Sequence, residues 1–262
     1  MKLCVTYLKG IFMDYRLILI EGLPGTGKTT LSEKIFEMFT KQGIQVELLQ
    51  EGDRIPSNVF GIAGIPKAEF VDFQNDTNII TKTENYVFVN LENCGETVAK
   101  QLRRYDIGDA FNPHISAYEY ARCTLEWWQY WVNASIKETV LIMDSAFMQC
   151  PINEMIFRKA SDAEVKAYVQ AIAEIIKPFN PFCIYLRREN AKIAIDFAKS
   201  VKSEQWAVRV EKLLTELGCL DVFERRFDLE QTLFSLVPNI ICDINSDDWS
   251  DVDIKIRELF RP

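Results

Sequence analysis

The chain is short of the residues on which several kinds of chemistry depend. Among its 262 residues there is one histidine, His114. A single imidazole excludes a multi-histidine metal centre, and it leaves a Ser-His-Asp or Cys-His arrangement only one base. The seven cysteines (Cys4, Cys94, Cys123, Cys150, Cys183, Cys219 and Cys242) are odd in number and scattered. No two stand in a C-x-x-C spacing, so neither a zinc site nor a thioredoxin-type pair is written here. They read as buried free thiols in a reducing compartment. Basic charge is not in excess: 30 Lys+Arg against 38 Asp+Glu give a net charge of −8, which argues against a broad nucleic-acid-binding face. No apolar run approaches the roughly 18 residues of a membrane span. Internal repeats and low-complexity stretches are absent as well. The opening MKLCVTYLKGIF is broken by Thr6, Tyr7 and Lys9, too polar for a signal-peptide core. Residues 1–12 are therefore expected to be an N-terminal extension, with Met13 as an alternative start, and the protein to be cytoplasmic.

What is present suits one large folded domain. Hydrophobic residues make up 48% of the chain and charged residues 26%, ordinary values for a globular protein. Five short runs have the length and β-branched content of buried strands: 17–21 (LILIE), 46–50 (VELLQ), 140–144 (VLIMD), 182–186 (FCIYL) and 240–244 (IICDI). Most lack polar/apolar alternation, which is how a strand covered on both faces reads. Helical periodicity lies between them, over 28–42, 162–177, 203–217 and 250–260. Alternating strands and helices predict an α/β fold, a three-layer, doubly wound, parallel five-stranded sheet with right-handed crossovers. The rhythm breaks between the second and third strands. A mainly helical insertion over 52–139 is expected there, opening with a Gly/Pro-rich loop at 52–66 and covering the sheet's carboxyl edge.

The strongest chemical signal is Gly22-Leu-Pro-Gly-Thr-Gly-Lys28-Thr29, a complete G-x-x-x-x-G-K-[ST] element between a predicted strand and a predicted helix. Glycines at 22, 25 and 27 let the backbone curl with its N–H groups turned inward, and the following helix N-terminus adds a positive dipole end. Lys28 supplies a point charge for the β/γ-phosphates, and the Thr29 hydroxyl is placed for Mg²⁺. The phosphate-binding set is thus Gly22, Pro24, Gly25, Thr26, Gly27, Lys28, Thr29 and Thr30. Val140–Asp144 fits four apolar residues ending in a carboxylate, where Asp144 would face Thr29 across the metal.

These residues resemble the P-loop nucleoside triphosphate-binding superfamily. With no N-K-x-D and no L-S-G-G-Q in the chain, the layout is most similar to the nucleoside/nucleotide kinase group and its small-molecule kinase relatives. That resemblance implies ATP and Mg²⁺ as cofactors and a small-molecule acceptor such as a nucleoside, nucleotide or related hydroxyl compound. It also implies a carboxylate base at the tip of the second strand, here Glu51 or Asp53. Lid arginines after the fourth strand are implied within about 187–232, with Arg187 or Arg188 first and Arg225 or Arg226 second. The group often dimerises, so a homodimer is a further expectation, with neither nucleic acid nor membrane as partner. One departure stands out. Deoxynucleoside kinases end the third strand in Glu/Asp-Arg-Ser, whereas this chain has Asp144-Ser145-Ala146. The alternative reading is a P-loop ATPase or nucleotide-binding switch acting on a protein partner. Trp127, Trp128 and Trp131, with Tyr120 and Tyr130, form an aromatic helix whose first reading is core packing and whose second is a stacking wall. His114 reads as a structural loop residue.

Overall fold

The computed structural model describes residues 15–50, 53, 55–70, 77–135, 138–216, 221–244 and 249–260. The chain runs through β1 (Leu17–Gly22), α1 (Lys28–Lys41), β2 (Val46–Leu49), β3 (Ile62–Pro66), β4 (Ile79–Lys82), β5 (Tyr86–Asn90), α2 (Glu96–Leu102) and α3 (Ala117–Ala134). It continues through β6 (Val140–Asp144), α4 (Gln149–Phe157), α5 (Asp162–Ile176), β7 (Pro181–Arg187), α6 (Ala191–Val201), α7 (Glu204–Glu216), α8 (Asp221–Leu233), β8 (Asn239–Asp243) and α9 (Ser250–Leu259). Two compact units divide it: 1–51, 136–149 and 176–262 form one, and 52–135 with 150–175 form the other.

The first unit is built on a five-stranded sheet in the order β2-β6-β1-β7-β8, every pair parallel. Each of the five runs picked out in the sequence contributes one strand. β1 is central and buried along its whole length, because parallel neighbours flank it and helices cover both faces. Its even-numbered residues Ile18 and Ile20 share a core with Leu31, Ile35 and Phe39 of α1 and Val252 and Ile256 of α9. Its odd-numbered residues point to the opposite face, as the two-residue period of a strand requires. There Glu21 stands in register with Tyr185 of β7. The fold of this unit is the doubly wound, parallel five-stranded α/β sheet that the sequence predicts. The switch in strand order beside β1 puts the ligand crevice of such a sheet at that strand's carboxyl end.

The second unit contains an element the sequence reading did not foresee. β3, β5 and β4 form an antiparallel sheet in that order, so the insertion is not built of helices alone. One face carries Ala63, Ile65, Val87 and Val89, packed with Val98 and Leu102 of α2. The other carries Gly64 and Phe88. The Phe88 ring meets Trp127 of α3 at 5.1 Å between centroids. α3 starts at a complete capping box: the Ser116 hydroxyl accepts from the Glu119 N–H, and the Glu119 carboxylate accepts from the Ser116 N–H at 2.9 Å. A Cβ at Gly64 would overlap the Sγ of Cys123 on α3. Glycine there allows the sheet and helix to approach. Trp127 and Trp128 are buried, so the aromatic helix is core, as its first reading had it.

Gly64→Ala is expected to lower the urea-unfolding free energy by about 1–3 kcal/mol, the usual cost of overpacking. Adding Cys123→Ala should return part of that loss. Strictly additive losses would show that the Cys123 sulfur is not what Gly64 accommodates.

Candidate functional site

At the carboxyl end of β1 the chain turns through three glycines with positive φ, Gly22 (140°), Gly25 (78°) and Gly27 (88°). All three are also forced by their neighbours: a Cβ on Gly22 would overlap the Leu186 carbonyl oxygen of β7. A Cβ on Gly25 would lie 2.8 Å from Cβ of Ala198 on α6, and one on Gly27 would overlap the indole of Trp249. The loop is therefore wedged between α6 and Trp249, and no other residue fits either position. The Leu23 carbonyl is its internal anchor. It accepts the Thr26 N–H at 3.4 Å, the Thr26 hydroxyl at 2.8 Å and the Lys28 ammonium at 3.1 Å. α1 then begins at Gly27 with no side-chain cap and no acidic residue in its first turn. Its first N–H groups are left without a side-chain cap, and such a helix N-terminus favours an anion.

β6 lies beside β1 with Asp144 in register with Ile20, and this brings the acid to the loop. The Thr29 hydroxyl donates to Asp144 Oδ2 at 2.8 Å, and the Ser145 hydroxyl donates to Oδ1 at 2.6 Å. Asp144 is buried, and Ser145 holds a φ of 67° that aims its hydroxyl back at the acid. A hydroxyl and a carboxylate in contact are hard oxygen donors, the set that suits Mg²⁺, which keeps several waters and takes the rest of its shell from phosphates. Among the described residues no cluster of three or more His, Cys, Asp or Glu side chains could hold a metal by itself. A site completed by a nucleotide fits these donors.

Behind the loop lies a buried polar network that sequence reasoning missed. Glu21 is fully buried; its Oε1 accepts the Phe147 N–H at 2.6 Å and its Oε2 accepts the Gln149 N–H at 3.1 Å. Desolvation raises its carboxyl from the ordinary value to about 7, the two amide bonds pull it back, Glu230 pushes it further up and Lys28 draws it down. Arg226 of α8 is equally buried. It donates through Nε to Glu230 Oε1 at 2.6 Å, and through one terminal nitrogen to the Gly22 carbonyl at 2.9 Å and Gln149 Oε1 at 3.0 Å. Tyr185 donates to the other Glu230 oxygen at 2.8 Å and accepts from Gln231 at 3.0 Å. One signal for this network was present in the sequence. A glutamate closing the otherwise apolar LILIE run of a doubly covered strand must find partners.

The remaining predicted residues are dispersed. Arg187 pairs with Asp243 at 2.7 Å, matching their register on β7 and β8. Arg188 is buried with its guanidinium 3.9 Å from the centroid of Phe197. Arg225 is half-buried on α8. Arg226, expected with Arg225 in a lid, instead braces the loop from below with no exposure to water. Pro24 is half-buried in the loop and Thr30 exposed on α1. Asp53 is exposed, and its carbonyl accepts the Ile55 N–H and the Asn58 side-chain amide, each at 2.8 Å. Glu51 lies outside the described residues.

Within the second unit is a cavity of about 620 Å³, lined among others by Lys67, Glu84, Tyr86, His114 and Arg122. Its walls are pinned. Glu126 of α3 accepts from Thr83, from the Asn85 N–H at 3.0 Å and from the Asn85 side chain at 2.6 Å. Asn112 donates to the carbonyls of Arg103, Arg104 and Asp106. Five cysteines, Cys94, Cys123, Cys150, Cys183 and Cys242, are free thiols. No described helix is long and apolar enough to cross a membrane.

Two outcomes are expected from the buried network. Arg226→Met should cost about 3–5 kcal/mol of unfolding free energy, because it strands the Glu230 charge, while Arg225→Met costs less than about 1 kcal/mol. Equal losses in urea titrations would remove the distinction between the two arginines. Folded Glu21 holds its proton up to about pH 7, whereas an ordinary glutamate loses it near 4.5. Over that window the folded state binds more protons, so stability falls as pH rises through it. The melting temperature of the wild type relative to Glu21→Gln should therefore decline across the window, and a parallel pair of curves would contradict it.

No family model matches the chain, and no curated protein does. Among solved structures, thymidylate kinase from Candida albicans aligns over 94% of this chain and 92% of its own, with 11% identity and a TM-score of 0.43.

Proposed function

We propose that the chain is an ATP- and Mg²⁺-dependent phosphotransferase acting on a small-molecule acceptor. One observation carries the reading. A glycine loop of fixed curvature ends in Lys28 and an open helix N-terminus, with Thr29 and Asp144 in contact beside it. The loop amides and the Lys28 ammonium would bind the β- and γ-phosphates, and Lys28 would leave the Leu23 carbonyl to do so. Thr29 and Asp144 would hold Mg²⁺, which when bound neutralises charge on the phosphate oxygens. Asp144 is kept oriented for that role by Ser145.

The acceptor is assigned to the insertion. Its cavity has the size of small-molecule sites, and its rigid walls carry both signs of charge, which suits a polar acceptor. Glu51 or Asp53 would take the acceptor's proton. Arg187, Arg188 or Arg225 would stabilise charge on the moving group.

Lys28→Ala is expected to weaken Mg²⁺-ATP binding by about 10- to 100-fold, the worth of a charge-assisted contact, in a chain that still unfolds cooperatively on heating. Unaltered affinity would end the assignment of the loop. Turnover is then followed as ADP release against pools of nucleosides, nucleotides, sugars and aminoglycosides, with products weighed by mass spectrometry. Release that depends on one pool identifies the acceptor class, and release indifferent to every pool transfers the case to an ATPase switch.

A further inference from the structure

Tyr86 is the first residue of β5 and stands opposite Pro66, the last of β3. It shares the α3-facing side of the antiparallel sheet with Gly64 and Phe88 and lines the cavity of the second unit. Only 8% of it is exposed, yet its hydroxyl makes no hydrogen bond among the described residues. That hydroxyl is left to whatever fills the cavity. Three cations and three carboxylates line the same space, and half of them are already engaged. Glu69 accepts the Tyr105 hydroxyl at 2.7 Å and pairs with Arg104 at 3.4 Å. Glu119 accepts the Ser116 N–H at 2.9 Å and its hydroxyl at 2.8 Å, and the start of α3 opposes its charge. Lys67, Glu84 and Arg122 are left. Arg122 lies over the Tyr118 ring at 5.6 Å, a contact that orients the guanidinium and uses none of its N–H donors. The Lys67 N–H donates to the Asn85 carbonyl at 2.8 Å, so Lys67 and Glu84 stand at the same end of the strand pair as Tyr86. Neither side chain forms an ion pair or a hydrogen bond among the described residues. His114 on the same wall can donate or accept and does not alter the balance. The free groups are thus rich in donors, and two cations against one carboxylate leave one positive charge over.

We propose that this cavity binds a hydroxylated carboxylic acid of the sugar-acid class, its carboxylate held by Arg122, Lys67 and the Tyr86 hydroxyl and its hydroxyls by Glu84. The inference rests on the reading of the cavity as the acceptor site, since transfer requires a hydroxyl; the acid is what the cavity adds. A guanidinium meets a carboxylate with two parallel N–H bonds, and a single negative charge matches the one left over. A neutral sugar or nucleoside would leave the free donors to water. An aminoglycoside would set its ammonium groups against Lys67 and Arg122. A phosphate dianion carries more charge than these groups balance, and the α3 N-terminus, where an anion could otherwise find N–H groups, is closed by its capping box. A volume of about 620 Å³ exceeds what a two- or three-carbon acid would fill and has room for a six-carbon one.

The test is calorimetric titration of the full chain, without nucleotide, against gluconate, glucuronate and galacturonate, each beside its neutral parent sugar, the matching amino sugar and the hexose 6-phosphate. At least one acid should bind about 10-fold or more tightly than its parent, the worth of one charge-assisted contact. Arg122→Gln should abolish that preference. Tyr86→Phe, which keeps the ring and removes the hydroxyl, should weaken the acid by about 5- to 10-fold. If Arg122→Gln does not fold, Lys67→Gln takes its place. Failure of all three acids to bind, acids held no better than their parents, a hexose 6-phosphate held more tightly than any acid, or a preference that survives the charge-removing variant overturns the inference. With no nucleotide present, these outcomes leave the assignment of the phosphate loop untouched. An acid that binds with this preference and is not phosphorylated by Mg²⁺-ATP supports the site and overturns the acceptor reading instead.

Discussion

The guanidinium of Arg226, sealed from water, ties α8 to the first carbonyl of the phosphate loop. It is the contact on which the nucleotide site stands. Gly22 could otherwise leave the end of β1 in several directions, since a residue without Cβ is restrained little by its own sterics. Arg226 restricts it to one, and Glu230, Tyr185 and Gln149 restrict Arg226. Nearer the surface, Ala198 and Trp249 confine Gly25 and Gly27 from two sides. The loop's curvature is thus imposed by its surroundings as much as by its glycines.

Such a brace has an energetic character different from the apolar core around β1. Packing of Ile18 and Ile20 against α1 and α9 tolerates exchange of one aliphatic residue for another of similar volume. A buried ion pair does not: removal of either partner leaves a charge with neither water nor counter-ion. The part of the molecule nearest the chemistry is therefore the least forgiving of substitution, although none of these side chains need touch a substrate.

The difference between local and distant information explains what the sequence reading reached. The loop element and the five strands of the parallel sheet were legible because each is written in a handful of consecutive residues. Asp144 was legible because a strand tip has a pattern of its own. The brace was not, since Arg226 and Gly22 are 204 positions apart. It also concealed α8, whose buried apolar residues Val222, Phe223, Leu229 and Leu233 are interrupted by Arg226 and Glu230. The antiparallel sheet was hidden for another reason. β3 reads IAGIP, and its glycine and proline look like a loop until Gly64 is seen against Cys123 and Pro66 at the strand's end. Arg225 and Arg226 were weighed as a pair, yet neighbours on a helix point about 100° apart, and burial separated them completely.

The distance along the chain between loop and brace bears on synthesis. A chain emerging from the ribosome exposes the phosphate loop well before α8, and domains tend to fold as units once their parts are available. β1 must wait for β6 and β7 to supply its two neighbours, and Gly22 must wait longer still, for Arg226. The loop is therefore translated before its brace yet takes its final form only with it, and a nascent chain stalled before α8 would carry the whole motif without the shape that gives it meaning.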